Sequence, residues 1–141
     1  MESKKTIKFR SGLEEHIAEQ LDKLGVNYEY EARIIEWFKS SQSGSVEIRT
    51  KAYYNPDFLL PNGIFLEGKG QFLTSDRRRH RQIREQFKNK YDIRFIFSNP
   101  NRIIGTKSTT RYRDWCDRYG FQWSNQDVPI AWIKERKVNG K

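Results

Sequence analysis

Cysteine occurs once in this 141-residue chain, at Cys116, and histidine twice, at His16 and His80. A single thiol builds neither a disulfide framework nor a zinc cluster, so a reducing, intracellular setting is expected. Its context, Tyr112-Arg113-Asp114-Trp115-Cys116-Asp117-Arg118-Tyr119, reads as helix packing and not as a nucleophile. Two isolated histidines do not suggest a histidine metal centre. No apolar run is long enough to span a bilayer, and Met1-Glu2-Ser3-Lys4-Lys5 lacks a signal-peptide core. Repeats are absent, and the only biased tract is the serine-rich 39–45.

Acidic residues are outnumbered, 18 against 27 Lys and Arg, which leaves a net charge of +9. Such an excess points to a polyanionic partner, nucleic acid first and an anionic membrane surface second. Aromatic residues make up 14% of the chain, more than a disordered sequence carries. The length suits one domain, 1–141, with a real core.

The few acids are informatively placed. Asn55-Pro56-Asp57 is followed, across Phe58-Leu59-Leu60-Pro61-Asn62-Gly63-Ile64-Phe65-Leu66, by Glu67-Gly68-Lys69. Pro, Asn and Gly in succession predict a three-residue hairpin loop, a type I turn closed by a left-handed glycine. Leu60 then pairs with Ile64, Asp57 lies opposite Glu67, and Lys69 falls on the same face. A two-residue Asn-Gly loop would send Asp57 to the other face. Phe58, Leu60, Ile64 and Leu66 fill one face, while Leu59 and Phe65 share the charged one, so the strand is central.

Upstream, Leu13, Ile17, Leu21 and Leu24 repeat at helical spacing towards a stop at Gly25. Ser11 with Glu14 forms a capping box, and the same turn sets Glu14 beside whatever the helix start approaches. The stretch 26–38 alternates as a strand, 39–45 reads as a flexible loop, and 46–54 alternates again. Thr74-Ser75-Asp76 starts a helix whose apolar edge is Ile83 and Phe87. Arginines cover the remainder, and Arg77, Arg78, Arg79, Arg81 and Arg84 are candidate phosphate contacts, with His80 inside the run and Arg10 and Lys107 outside it. Residues 93–97 form a strand reached by a parallel, right-handed crossover. Thr109 or Thr110 caps a helix that Gly120 ends, 121–123 is a short strand, and Pro129 opens a last helix through Glu135.

In this order the elements resemble the PD-(D/E)xK nuclease core, and more closely the endonuclease I family of T-odd bacteriophages, which resolves Holliday junctions. The resemblance is carried by Phe9-Arg10-Ser11-Gly12-Leu13-Glu14, by Asn55 through Phe65 with Glu67, Lys69 and Gly70, by Ile83-Arg84-Glu85-Gln86, and by Pro129 with Ala131-Trp132-Ile133-Lys134-Glu135. It implies an α/β fold of the restriction-endonuclease-like kind, a mixed central sheet flanked by helices. It also implies a strand-exchanged homodimer with its hinge near 39–45, within the stretch 38–54. Four catalytic residues follow from it: Glu14, Asp57, Glu67 and Lys69, with Glu14 given by the opposite chain. Gly68 stands where a larger residue is expected, but its role would need only the backbone carbonyl.

The implied chemistry is metal-dependent hydrolysis of branched DNA. Hard oxygen donors select Mg²⁺, with Mn²⁺ as substitute and two ions per site. Asp57 would bridge them, Glu67 and the Gly68 carbonyl holding one and Glu14 the other, while Lys69 orients the attacking water. Neither a membrane partner nor a nucleotide cofactor is expected. A nickase or transposon-type end cleaver with the same core, or a non-catalytic basic nucleic-acid-binding protein, would share much of this sequence pattern.

Overall fold

The computed structural model describes residues 7–137; the start Met1-Glu2-Ser3-Lys4-Lys5 and residues 138–141 lie outside it. The described order is α1 (Gly12–Lys23), β1 (Glu29–Tyr30), β2 (Ile35–Ser43), β3 (Val46–Tyr54), β4 (Phe58–Leu59), β5 (Ile64–Lys69), α2 (Thr74–Phe87), β6 (Asp92–Phe97), α3 (Tyr112–Tyr119), β7 (Trp123–Asn125) and α4 (Ile130–Lys134). Five strands form a mixed sheet in the order β1-β4-β5-β6-β7, and β2 with β3 forms a separate two-stranded sheet. β5 is the middle strand, as its apolar faces require. It runs antiparallel to β4 and parallel to β6, with α2 as the crossover.

Each sheet face has its own core. Ile17, Ala18 and Leu21 of α1 and Trp132 of α4 meet Phe58, Leu60, Ile64, Leu66 and Ile96 on one side. On the other, Phe72, Ile83, Tyr112, Trp115 and Cys116 meet Ile93, Phe95 and Phe97. Buried Cys116, its thiol pKa raised by burial, is a packing residue. Buried Arg94 docks the end of α4, with its guanidinium 2.7 Å from Glu135 and 2.8 Å from Asp92.

Local chemistry explains the hairpin that carries the acids. Gly63 N–H donates to Leu60 O at 2.9 Å, and Leu60 N–H donates to Ile64 O at 2.9 Å. Gly63 has φ +89°, which glycine adopts without strain. Leu59 pairs with Phe65 and Phe58 with Leu66, the register that puts Asp57 opposite Glu67.

Four expectations about elements are corrected. The stretch 26–38 is not one strand: Glu31 takes φ +49° and donates its N–H to Asp57 O at 2.9 Å, turning the chain between β1 and β2. Leu24 is exposed, because α1 ends in a reversal at Gly25 (φ +69°) that lets Val26 cover the core instead. The helix before Gly120 is capped at Arg111, whose N–H donates to Asp114 at 2.9 Å, and not at Thr109 or Thr110. The serine-rich 39–45 is no loop: 39–43 continues β2, paired with β3 from Ile35↔Tyr54 to Ser43↔Val46 around Gly44.

That strand has a second partner. From α2, Gln82 accepts from Ser40 N–H at 2.8 Å and donates to Ser40 O at 3.3 Å. One turn later Gln86 accepts from Phe38 N–H at 2.8 Å and donates back to Phe38 O. Two side-chain amides thus take the place of a neighbouring strand along the edge of β2.

Candidate active site

β5 ends at Lys69, and the first turns of α1 and α2 meet it there, at the carboxyl end of a parallel strand where open α/β sheets bind ligands. The pocket at this junction has a volume of about 490 Å³ and contains Glu14, Asp57, Glu67, Gly68, Lys69 and Asp76, with Arg10 and Arg79 among its other walls. All four residues implied as catalytic therefore meet in one pocket, and here all four come from one chain.

Ser11 Oγ caps α1 by accepting from Glu14 N–H at 3.1 Å. The Glu14 carboxylate accepts from the Tyr30 hydroxyl and lies 3.4 Å from Ser11 Oγ. It is 93% buried and faces the pocket. Gly68 explains how α1 comes so near. A Cβ at this position would stand 3.3 Å from Ile17 Cδ1 and 3.4 Å from Leu13 Cδ2, so these side-chain ends would have to give by a few tenths of an ångström.

Asp57 and Glu67 interlock. Asp57 N–H donates to Glu67 Oε1 and Gly68 N–H donates to Asp57 Oδ2, both at 2.9 Å. Burial pushes Asp57 up to about pKa 8, reinforced by the charges of Glu67 and Glu14 and opposed by Gly68 N–H and Lys69. Burial raises Glu67 as well, against Lys69 and the Asp57 N–H. Lys69 Nζ lies 3.4 Å from Glu67 Oε2 and 3.2 Å from Asp76 Oδ1. Asp76 also approaches Arg79 at 3.5 Å and accepts from Leu73 N–H at 3.0 Å, holding the start of α2.

Two further acids stand at the site, Asp76 in the pocket wall and Glu31 beside Glu14 and Asp57. Glu31 comes within reach through its left-handed backbone: carboxylate oxygens of Glu14, Glu31 and Asp57 all lie within 4.8 Å of one another. No periodicity signals such a placement. Asp76 was legible only as a helix-start residue, and its second oxygen turns to Lys69.

The basic candidates separate. Arg10 pairs with Glu31 at 3.1 Å on the pocket rim, and Arg79 lies 4.6 Å over the Tyr54 ring. Arg77, Arg78 and Arg81 line a neighbouring groove, and Lys107 lies exposed before α3. Arg84 is committed to the fold: it donates to Tyr119 O and Gly120 O at 2.9 and 2.8 Å and stacks on Phe121. His80 is a correction. It is 1% exposed, enclosed by Tyr54, Phe95 and Phe121, and too deep to touch a phosphate.

The sequence model described as Phage endonuclease I matches residues 1–140. The chain belongs to that family. Among endonuclease I relatives, Endonuclease I of Escherichia phage T7 is 40% identical over 129 residues, covering 92% of this chain and 80% of its own length. Endodeoxyribonuclease 1 of Enterobacteria phage T3 is 39% identical over 129 residues, covering 92% and 79%. Among the described residues of this endonuclease I family member, no helix is long and apolar enough to cross a membrane.

Proposed function

We propose that this chain is a divalent-metal-dependent endodeoxyribonuclease that hydrolyses phosphodiester bonds in branched DNA, four-way junctions above all. The convergence of Glu14, Asp57, Glu67 and Lys69 on one pocket carries this reading, in a chain whose relatives are named as endonucleases.

The residues fit a hard cation. Crowded carboxylates, one of them held near pKa 8 by burial and like charge, outnumber the cations beside them, Arg10 on Glu31 and Lys69 on Glu67. Oxygen donors of this kind suit Mg²⁺ or Mn²⁺. Asp57 would be the shared ligand of two ions, with Glu14 on one and Glu67 and the Gly68 carbonyl on the other, and Glu31 as an additional acid. Bound metal supplies Lewis-acid stabilisation of the attacking and leaving oxygens. Lys69, fixed between Glu67 and Asp76, orients the attacking water and offsets charge on the phosphorane. The product is a nick with 5′-phosphate and 3′-hydroxyl ends.

The active form is a homodimer in which β2 and β3 exchange partners between chains. Gly44 is the turn that would open, and Glu14 of one chain would complete the site of the other. The enzyme would act inside the infected cell, without a membrane partner or nucleotide cofactor.

The test compares a four-way junction with a linear duplex of the same sequence in Mg²⁺. Wild-type protein should nick the junction preferentially, and Lys69→Ala should slow cleavage on the order of 10²- to 10³-fold. Equal cutting of both substrates would point to a nickase or end cleaver. Tight binding without cleavage would leave a binding protein, and wild-type rates from Lys69→Ala would remove the role given to Lys69.

A further inference from the structure

We propose that the cleft between the β2–β3 hairpin and the start of α2 is a second phosphate subsite, which takes the DNA phosphodiester adjacent to the one in the catalytic pocket. The inference rests on the DNA-cleaving reading above, and nothing in that reading assigns this cleft.

The cleft has a volume of about 280 Å³ and is walled by Trp37 and Lys39 of β2, Tyr53 of β3, and Ser75, Arg78 and Arg79 of α2, with Ala52 beside them. It contains no acidic residue, in contrast to the pocket beside it, which holds Glu14, Asp57, Glu67 and Asp76. Tyr53 and Arg79 line both, so the two spaces adjoin. A strand whose scissile phosphate sits among the acids therefore continues into a space walled by cations and hydrogen-bond donors.

The local structure explains why these donors meet. Trp37 and Lys39 are two apart on β2 and share a face, while Ser75 and Arg78 are three apart at the start of α2. The start of that fourteen-residue helix adds its own partial positive charge. Lys39 and Arg78 are exposed, and among the described residues neither forms an ion pair, whereas Arg10, Lys69 and Arg79 each do. Trp37 is 5% exposed, yet its indole N–H has no hydrogen-bond partner, and neither does Nε of Arg79. The donors open to a ligand are the exposed side chains of Lys39, Ser75 and Arg78. A phosphodiester offers acceptor oxygens and a negative charge together. Tyr53, 65% exposed where the two spaces meet, presents a ring against which a sugar or base can rest.

The experiment measures binding without cleavage. A fluorescein-labelled four-way junction is titrated with protein in EDTA, at NaCl from about 50 to 300 mM, and log Kd is plotted against log salt. Lys39→Ala and Arg78→Ala should each weaken binding about 3- to 10-fold near 0.1 M salt and lower the slope by roughly one phosphate's share. Lys51→Ala is the control, because Lys51 sits on the same hairpin, pairs with Glu36 at 3.0 Å and lines neither space. It should leave both Kd and slope unchanged. Wild-type slope and affinity in both Lys39→Ala and Arg78→Ala, alongside steep salt dependence in the wild type, would overturn the subsite alone. A wild-type protein that fails to bind DNA, or binds with a flat salt response, would overturn the DNA reading and the subsite with it.

Discussion

Nζ of Lys69 lies closer to Oδ1 of Asp76, at 3.2 Å, than to Oε2 of Glu67, at 3.4 Å. The lysine is thus held between the middle strand and the first turn of α2. Asp76→Asn keeps an oxygen for Leu73 N–H, and so keeps the helix start, but removes the charge that fixes the ammonium. Its urea midpoint should match wild type, while single-turnover cleavage falls by about 10- to 10²-fold, the cost of a misplaced catalytic group. In a Lys69→Ala background the same change should add nothing, and an additive loss would mean that Asp76 acts elsewhere.

Asp57 gives the metal-free protein a definite pH response. Its folded pKa, about 8, is above the unfolded value near 4, so the folded state keeps a proton that the unfolded chain has released. Its contribution therefore weakens stability as pH rises towards 8 and becomes constant above it. Melting temperatures in EDTA from about pH 6.5 to 9, above the ordinary histidine range, should fall and then level. Asp57→Asn should flatten that profile and raise Tm at pH 8 while abolishing cleavage. A wild-type profile without the fall would contradict the assigned proton.

His80 behaves in the opposite sense. Burial holds its pKa well below the usual value, and both ring nitrogens lack partners. The unfolded chain takes up a proton below about pH 6.5 that the buried ring refuses, so stability is lost as pH falls through that value. His80→Phe should stabilise the protein to urea by about 1–2 kcal/mol, and more in acid, by removing two unsatisfied polar atoms. Affinity for DNA should not change. A loss of affinity in a fully folded variant would restore a role in binding.

Mixing two inactive proteins separates the two ways of building the site. Glu14→Ala and Lys69→Ala, co-refolded, give a mixed dimer with one intact site if Glu14 crosses to its partner, and nicking returns. If each chain completes its own pocket, every site remains damaged and nothing returns.

The hairpin register was legible because it depends on neighbours in sequence: Pro61, Asn62 and Gly63 set the turn, and the turn sets Asp57 against Glu67. Burial of β5 on both faces followed from its own residues. Glu31 was not legible, since it reaches Asp57 through one left-handed residue between two strands, and no periodic pattern encodes such a bend. The serine-rich segment misled because Ser, Gln and Lys carry little strand preference, while its order derives from β3 and from glutamines some forty residues away. His80 had a signal that its charged neighbours concealed. It lies three residues before Ile83 and seven before Phe87, on the apolar stripe of α2.

Gln82 and Gln86 reach the peptide groups of Ser40 and Phe38, not their side chains. Every residue type except proline offers the same N–H and C=O at those positions. The hairpin is therefore moored to the body by an address that substitution does not erase, and its exposed length can change in sequence while its angle over α2 stays the same.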